Sequence, residues 1–213
     1  SINSFRYLII PITVLVAPII LVATQPDLGT SILIAAGGVI VAWLAGVRAK
    51  FFVISGVTML ALLPIAISFL KPYQKSRILT FLNPERDPLG AGYQIIQSKI
   101  AIGSGGLFGK GFLNGSQSYL DYLPEKHTDF IFTLFSEEFG FFGSLFILLI
   151  YTIIIVRILK IGNLTRSNFG KLYCYSFATA FFIYVVVNMM MVLGLLPIVG
   201  SPLPIMSYGG SSM

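Results

Sequence analysis

The sequence predicts an all-α polytopic membrane protein with five complete transmembrane helices and the start of a sixth. Hydrophobic residues make up 56% of the 213 residues and charged residues only 10%, whereas about a quarter of the residues in a soluble domain are charged. Five apolar runs each extend over about 18 residues or more, which is enough to cross the hydrocarbon layer of a bilayer. The net charge of +6 lies mostly in the loops between these runs, so it indicates membrane topology rather than nucleic-acid binding.

Short loops separate the predicted spans, with one exception, the loop 71–129. The spans lie at about 7–24, 28–46, 51–70, 130–158 and 172–196. A sixth apolar run begins after Pro204. The sequence has no initiator methionine and stops at Met213 directly after a polar run. We therefore expect a single membrane domain that is a fragment of a larger protein.

The charged residues orient the predicted spans. The loop with Arg48 and Lys50 contains no acidic residue, and neither does the stretch 157–171, which has four basic residues. Short basic loops of this kind stay in the cytoplasm. The turn at Asp27, the loop 71–129 and the segment 194–210 are then expected to face outward.

The long outward loop is predicted to contain short amphipathic or re-entrant helices, because about sixty residues are too many for a simple connection. Residues 93–102 have the composition of such a helix at the membrane edge. The glycine-rich strip 103–111 fits neither the P-loop nor the G-x-G-x-x-G spacing. Its glycines are expected to provide positive φ angles and close backbone packing. Backbone amides of the strip that bind a diphosphate are the alternative.

Residues 122–130 bring together several titratable side chains directly before a predicted span. They include the single histidine of the chain, two carboxylates and a lysine. Three interpretations are open. Thr128 or Asp129 caps the following helix; the group holds a labile Mg²⁺ partly through a substrate phosphate; or one carboxylate is a general base. A zinc pattern is absent from the sequence. A Ser-His-Asp triad has no nucleophile-elbow sequence to support it.

Two glutamates and an asparagine fall within predicted spans, where such groups usually face a cavity or a partner. On a continuous helix, Glu137 lies about 80° from Asp129 and Glu138 about 180°. Glu137 is therefore expected to share the cavity of Asp129, and Glu138 to pair with a Lys or Arg of another span. Asn188 is interpreted as a link between helices.

Two segments complete the predicted outward side. The proline- and glycine-rich segment 194–210 breaks the helix and is expected to line the same cavity as the long loop, since broken backbone at membrane depth must face protein or water. Asp27 is expected to act as an N-cap.

Five blocks of sequence resemble the SEDS family (shape, elongation, division and sporulation), and they are most similar to the sequence of its elongation member. They run in the family order across nearly the whole chain. The blocks are QPDLGT at 25–30, GAGYQ at 90–94, QSKIAIGSGG at 97–106, LPEKHTDFIF at 123–132, and PLP with SYGG at 202–210. The resemblance implies a ten-span protein, of which this chain would be the fifth span to the start of the tenth.

The resemblance also implies a peptidoglycan glycosyltransferase of the bacterial inner membrane, with its active site facing the periplasm or cell exterior. Such an enzyme polymerises lipid II into glycan strands for elongation and rod shape, and it releases undecaprenyl diphosphate. It works beside a class B penicillin-binding transpeptidase. The family's catalytic aspartate corresponds to Asp129, and the two glutamates that follow correspond to Glu137 and Glu138.

These residue types suit that reaction. The acceptor sugar hydroxyl is a weak nucleophile, so a positioned carboxylate such as Asp129 helps as a base. The diphosphate leaving group needs cations, from basic side chains or from Mg²⁺ or Mn²⁺. Because donor and acceptor are both lipid-anchored, a lateral opening to the bilayer is required. The candidate substrate-binding residues are Arg77, Lys99, Lys110, Glu125, Lys126, His127, Glu137 and Ser207.

Two functions of other classes compete with this one. A lipid II flippase would also use broken helices and a polar cavity, but it should need polar groups through the whole bilayer depth. The titratable groups of this chain cluster instead on the predicted outward side, with only the two glutamates penetrating. The third hypothesis is a non-catalytic scaffold for the transpeptidase.

Overall fold

The computed structural model describes residues 5–25, 27–69, 72–87, 90–116 and 127–208, and every regular element in these ranges is helical. A single 3-10 turn, Pro84–Arg86, lies between the fourth and fifth helices. The α-helices are α1 Phe5–Thr24, α2 Leu28–Leu44, α3 Ala49–Phe69, α4 Pro72–Leu82, α5 Ala91–Gly105, α6 Ile131–Leu164 and α7 Asn168–Val192.

The five longest apolar runs of the sequence overlap helices α1, α2, α3, α6 and α7, although α6 continues beyond the predicted end at 158 and α7 both begins and ends before the predicted 172–196. Helices α6, with 34 residues, and α7, with 25 residues, are long and apolar enough to cross a membrane. In the first three helices the apolar stretches cover only 9–24, 29–44 and 49–62. The all-helical class is thus confirmed, and five complete spans remain a prediction.

The chain is irregular after α7. Residues 193–208 form turns, bends and extended backbone, with positive φ at Gly194, Gly200 and Ile205. The predicted break in the 194–210 segment is confirmed up to residue 208. The sixth helix expected after Pro204 does not begin there, because 204–206 is a turn; residues 209–213 lie outside the described ranges.

The chain divides into two compact units, one formed by residues 1–76 with 159–180 and the other by 77–158 with 181–213. In the first unit α1 packs on α2. The Asp27 carboxylate accepts hydrogen bonds from the Thr30 amide at 3.1 Å and the Thr30 hydroxyl at 2.6 Å. This confirms Asp27 as the N-cap of α2.

The second unit has an apolar core formed by α6, α7 and the segment after α7. Polar contacts fix the elements around it. The Tyr151 hydroxyl donates to the Pro204 carbonyl at 2.8 Å, and the buried Ser98 hydroxyl bonds the Thr133 hydroxyl and the Val192 carbonyl, both at 2.7 Å. Helix α5, predicted from residues 93–102, is therefore tied to both long helices. The core includes Phe130, Leu134, Phe181, Val185, Met191, Val192 and Leu203.

Helix α6 is interrupted at Gly140, which has φ +66° and ψ −160°. The interruption frees backbone groups on both sides, and in a membrane such groups must find partners within the protein. The glycine-rich strip supplies them. The amides of Lys110 and Gly111 donate to the carbonyls of residues 137 and 138, both at 3.0 Å. In return the amides of residues 141 and 142 donate to the carbonyls of residues 106 and 107, at 2.9 and 3.2 Å.

We call this backbone pairing of residues 105–111 with residues 136–142 the glycine clasp. It needs glycine for two reasons. Gly106, Gly109 and Gly111 have positive φ angles, and a Cβ atom added at Gly109 would overlap the backbone of residue 138 and lie 2.7 Å from the residue 140 amide nitrogen. The predicted role of the strip in tight backbone packing is confirmed.

Candidate functional site

A cavity of about 460 Å³ in the second unit contains Asp129. Its walls come from three parts of the chain: the middle of α4 with the start of α5, the turn before α6, and the broken segment after α7. The expectation that the last segment lines the cavity of Asp129 is therefore confirmed. The described lining residues are Arg77, Gln94, Thr128, Asp129, Phe130, Ile198, Gly200, Pro202 and Tyr208.

Asp129 lies in the turn 127–130 directly before α6 and is half-buried. Gly200 faces it across the cavity, because a Cβ atom at residue 200 would stand 3.6 Å from Asp129 Oδ2. Residue 200 also has φ +71°, a conformation that favours glycine. The missing side chain leaves room beside the carboxylate for a second group. The position before α6 fits the cap interpretation, and the open cavity fits the base interpretation.

Asn188 holds two walls of this cavity together from below. Its side chain is fully buried, and its Nδ2 amide donates to the carbonyls of Asp129 at 2.8 Å and Ser201 at 2.6 Å. The two carbonyls use both hydrogens of the amide. The predicted structural role of Asn188 is found, but its partners are not other helices: they are the backbone of the turn before α6 and of the segment after α7.

Ser207 provides a second structural link. Its hydroxyl donates to the Thr128 carbonyl at 2.6 Å and accepts from the Leu203 amide at 2.7 Å. The Tyr208 amide donates to the His127 carbonyl at 2.9 Å. These bonds fasten the turn before α6 to the segment after α7. Ser207 thus acts on the shape of the cavity, and the predicted substrate contact of its hydroxyl stays a prediction.

Three of the four candidate cations, Arg77, Lys99 and Lys110, lie within the described residues and have different surroundings. Arg77 lines the cavity, and its Nη1 donates to the Ile198 carbonyl at 3.3 Å. Lys99 is exposed on α5 and covers Gly194, with Nζ 2.8 Å from the position of an added Cβ there. Lys126 lies outside the described residues, as does Glu125, and the side chain of His127 is exposed.

Lys110 and Glu137 form a separate cluster next to the glycine clasp, in which Glu137 is buried and Lys110 is exposed. The Glu137 side chain has no exposed surface and lies 2.6 Å from Lys110 Nζ. The same carboxylate oxygen accepts from the Ser116 amide at 3.0 Å and hydroxyl at 2.9 Å. The ion pair predicted for Glu138 with another span is therefore found at Glu137 instead, and its cation lies in the glycine-rich strip. For Glu138 the described residues show no ion pair.

The described lining of the Asp129 cavity does not include Glu137, contrary to the expected sharing. The reason is local geometry. The 80° angle assumed one helix through both residues, whereas residues 127–130 form a turn and α6 begins at Ile131. The helical period therefore does not apply across this boundary.

Within the described residues, no group of three or more His, Cys, Asp and Glu side chains comes together. Among the described residues that line the cavity, Asp129 is the one carboxylate. The predicted Mg²⁺ or Mn²⁺ remains a prediction.

Comparison with known proteins identifies the family of this chain. The model of a family described as cell cycle protein, FtsW/RodA/SpoVE, matches residues 2–213. The chain belongs to the FtsW/RodA/SpoVE family. The SEDS resemblance carried by the five sequence blocks is thereby confirmed.

Similar proteins of the FtsW/RodA/SpoVE family include the peptidoglycan glycosyltransferase MrdB of Escherichia coli K12, with 49% identity over 205 residues, 96% of this chain and 55% of MrdB. A solved structure that concerns coordination of polymerization and crosslinking by a peptidoglycan synthase complex matches with a TM-score of 0.80 at 30% identity, over 100% of this chain and 59% of that one. A variant of the Thermus thermophilus rod shape determining protein RodA shares the fold, with a TM-score of 0.58 at 24% identity, over 96% of this chain and 51% of RodA. The chain spans about half the length of the curated relatives it matches.

Proposed function

We propose that the full-length protein is a peptidoglycan glycosyltransferase that polymerises lipid II for cell elongation. The observation that carries the proposal is the cavity in which the Asp129 carboxylate and the Arg77 guanidinium share one space. A carboxylate and a cation that line one cavity suit a reaction that removes a proton and releases an anion. The name of MrdB, a peptidoglycan glycosyltransferase 49% identical to this chain, supports it.

In the proposed reaction Asp129 accepts the proton of the acceptor sugar hydroxyl. The hydroxyl oxygen forms a bond to the anomeric carbon of the donor sugar, and the bond between that carbon and the diphosphate oxygen breaks. Undecaprenyl diphosphate leaves with the bonding electron pair. Its charge needs a cation rather than a proton, and Arg77 is the cation that lines the cavity among the described residues. A bound Mg²⁺ or Mn²⁺ would add to this neutralisation.

The Lys110 cluster has a different role in this account. Because Lys110 neutralises a fully buried carboxylate, its loss would leave an uncompensated buried charge. Lys110 therefore supports the clasp. Its replacement is expected to lower the stability of the protein, so a loss of lipid II polymerisation in that variant would not identify a substrate contact. Arg77 does not neutralise a buried carboxylate in this way, since its described partner is a backbone carbonyl.

Replacing Arg77 with Gln in the full-length protein should reduce lipid II polymerisation by about 10²-fold, the usual scale for one electrostatic group at the reacting atoms. Expression and membrane insertion should be unchanged, because Arg77 is exposed. The matched control is Lys99→Gln, which removes the same charge from an exposed residue that is absent from the described lining of the cavity. Initial rates of polymer formation measure both. A loss with Lys99→Gln alone would move the diphosphate site to α5.

The proposal also places the protein in the bacterial cytoplasmic membrane, with the Asp129 cavity facing outward beside a class B transpeptidase. The neighbour solved as a peptidoglycan synthase complex supports such a partner. Single cysteines at Ser116 and Ser167, introduced after replacement of native cysteines, should react with a membrane-impermeant thiol reagent from opposite sides. Ser116 should react from outside. Reaction of both from one side contradicts the orientation.

One experiment separates polymerisation from transport. The purified full-length protein is reconstituted into liposomes with lipid II and its transpeptidase, and two products are measured: glycan length by gel and lipid II movement by a leaflet-specific probe. The proposal expects long glycan strands. Lipid II that changes leaflet without any glycan product supports the flippase, and the absence of both supports the scaffold.

A further inference from the structure

A second cavity, also of about 460 Å³, lies in the first unit, where the end of α2 meets the start of α7. We call it the basic-side pocket. Its walls combine apolar side chains with one lysine, one asparagine and one tyrosine. The lining residues are Leu44, Ala45, Asn168, Phe169, Lys171, Leu172 and Tyr175.

The charges around the basic-side pocket have one sign. Arg48 and Lys50 follow α2, and Arg166 and Lys171 flank the start of α7. The sequence contains no acidic residue between Asp27 and Glu85, or after Glu138. Both loops next to the pocket are therefore purely basic, and an anion at the pocket would meet no nearby acidic residue from either loop.

Exposed aromatic side chains lie next to the basic-side pocket. The rings of Phe169, Tyr173 and Phe177 stack along the exposed start of α7, with centroids 6.5 and 6.2 Å apart. Beside the other wall, Trp43 is 58% exposed and contacts Phe52 at 5.3 Å. Exposed Trp and Tyr at the ends of apolar helices are typical of the membrane–water interface.

Two lysines near the basic-side pocket lie close to aromatic rings. Lys171 Nζ lies 5.9 Å from the Tyr175 ring centroid, and Lys50 Nζ lies 5.9 Å from the Phe51 ring. Such side chains lie along apolar surface and direct the ammonium group toward the headgroups. The pocket thus offers an ammonium group at the interface and apolar walls from Leu44 and Leu172.

We propose that the basic-side pocket binds the phosphate headgroup of an anionic phospholipid, with Lys171 as its ion partner. Charge complementarity selects this occupant, since basic pockets between helices on the cytoplasmic side suit anionic headgroups. The apolar walls suit the glycerol backbone and the first methylenes of the chains. The Asn168 side chain is the neutral hydrogen-bond donor of the pocket. This site is separate from the Asp129 cavity and does not depend on the reaction there.

The test measures lipid binding to the purified full-length protein by native mass spectrometry in detergent. The probes are phosphatidylglycerol and phosphatidylcholine of the same chain length. Phosphatidylglycerol should bind more tightly, and Lys171→Gln should weaken its binding about fivefold, the effect of one basic residue at a membrane surface. Lys171→Arg keeps the charge and should restore the binding. Phosphatidylcholine binding should stay the same in every variant.

The matched control is Lys75→Gln, which removes an exposed lysine of α4 that does not line the pocket. It should leave phosphatidylglycerol binding unchanged. Millimolar inorganic phosphate should not displace the lipid, because the apolar walls contribute to binding; displacement by free phosphate would show a simple anion site and overturn the lipid assignment. Equal binding of the two lipids, or equal effects of Lys171→Gln and Lys75→Gln, would also overturn it.

Discussion

Replacing Gly109 with Ala in the full-length protein is expected to lower the free energy of unfolding by about 3 kcal/mol or more, a large effect for one substitution. An added methyl group would overlap the backbone of residue 138, and backbone cannot move aside as a flexible side chain can. Residue 109 also has φ +81°, which costs a non-glycine residue about 1–2 kcal/mol. The midpoint of thermal unfolding in detergent and the fraction of monodisperse protein measure the effect.

Substitutions at two nearby glycines distinguish the steric overlap from the backbone strain. Gly106 has φ +55° and ψ −146°, but nothing lies within 4 Å of an added Cβ atom, so Gly106→Ala should cost only the backbone strain, about 1–3 kcal/mol. Gly103 lies inside α5 with open space around it, so Gly103→Ala should be neutral or stabilising by up to about 1 kcal/mol. If Gly109→Ala matches Gly103→Ala in stability, the clasp does not hold α5 on α6.

The helices could be predicted because their signals are local. Each apolar run carries its own evidence for a helix, and the Asp27 cap lies three residues from its partner Thr30. The break after α7 was readable for the same reason, since three prolines and several glycines occur within the segment 194–210.

The glycine clasp could not be predicted because the two segments that it joins lie about thirty residues apart in the sequence. Gly140 sits in the apolar run Phe139–Gly143 with no proline beside it, so nothing local marks the break in α6. The strip 105–111 shows glycines but not their partner. Only the backbone exchange between residues 106–111 and 137–142 explains why both segments need glycine.

The candidate site likewise combines features with a local sequence signal and contacts between distant parts of the chain. Asp129 is a candidate from its sequence block, whereas the proposal of Arg77 as the diphosphate cation depends on the cavity that it lines and on its contact with Ile198, 121 residues away. The targets of Asn188 are likewise distant, at 59 residues for Asp129 and 13 for Ser201. A polar residue inside an apolar run indicates a partner, and the sequence does not specify which one.

Replacing Asp129 with Asn should reduce glycan polymerisation by roughly 10²-fold or more, the scale of a lost general base. Asn has nearly the shape of Asp and caps a helix about as well, so the turn before α6 should persist. The Asn188 bond should persist as well, because it uses the backbone carbonyl of residue 129 and not its side chain. A neutral amide, however, cannot accept the proton of a sugar hydroxyl at neutral pH.

The most direct test measures lipid II binding and glycan polymerisation in the same reconstituted sample of full-length Asp129→Asn protein with its transpeptidase. The account predicts binding close to that of the unsubstituted protein together with a roughly 10²-fold loss of polymerisation. Polymerisation at a near-normal rate would show that Asp129 only caps α6. A parallel loss of binding and polymerisation would show that Asp129 holds the substrate and is not the base.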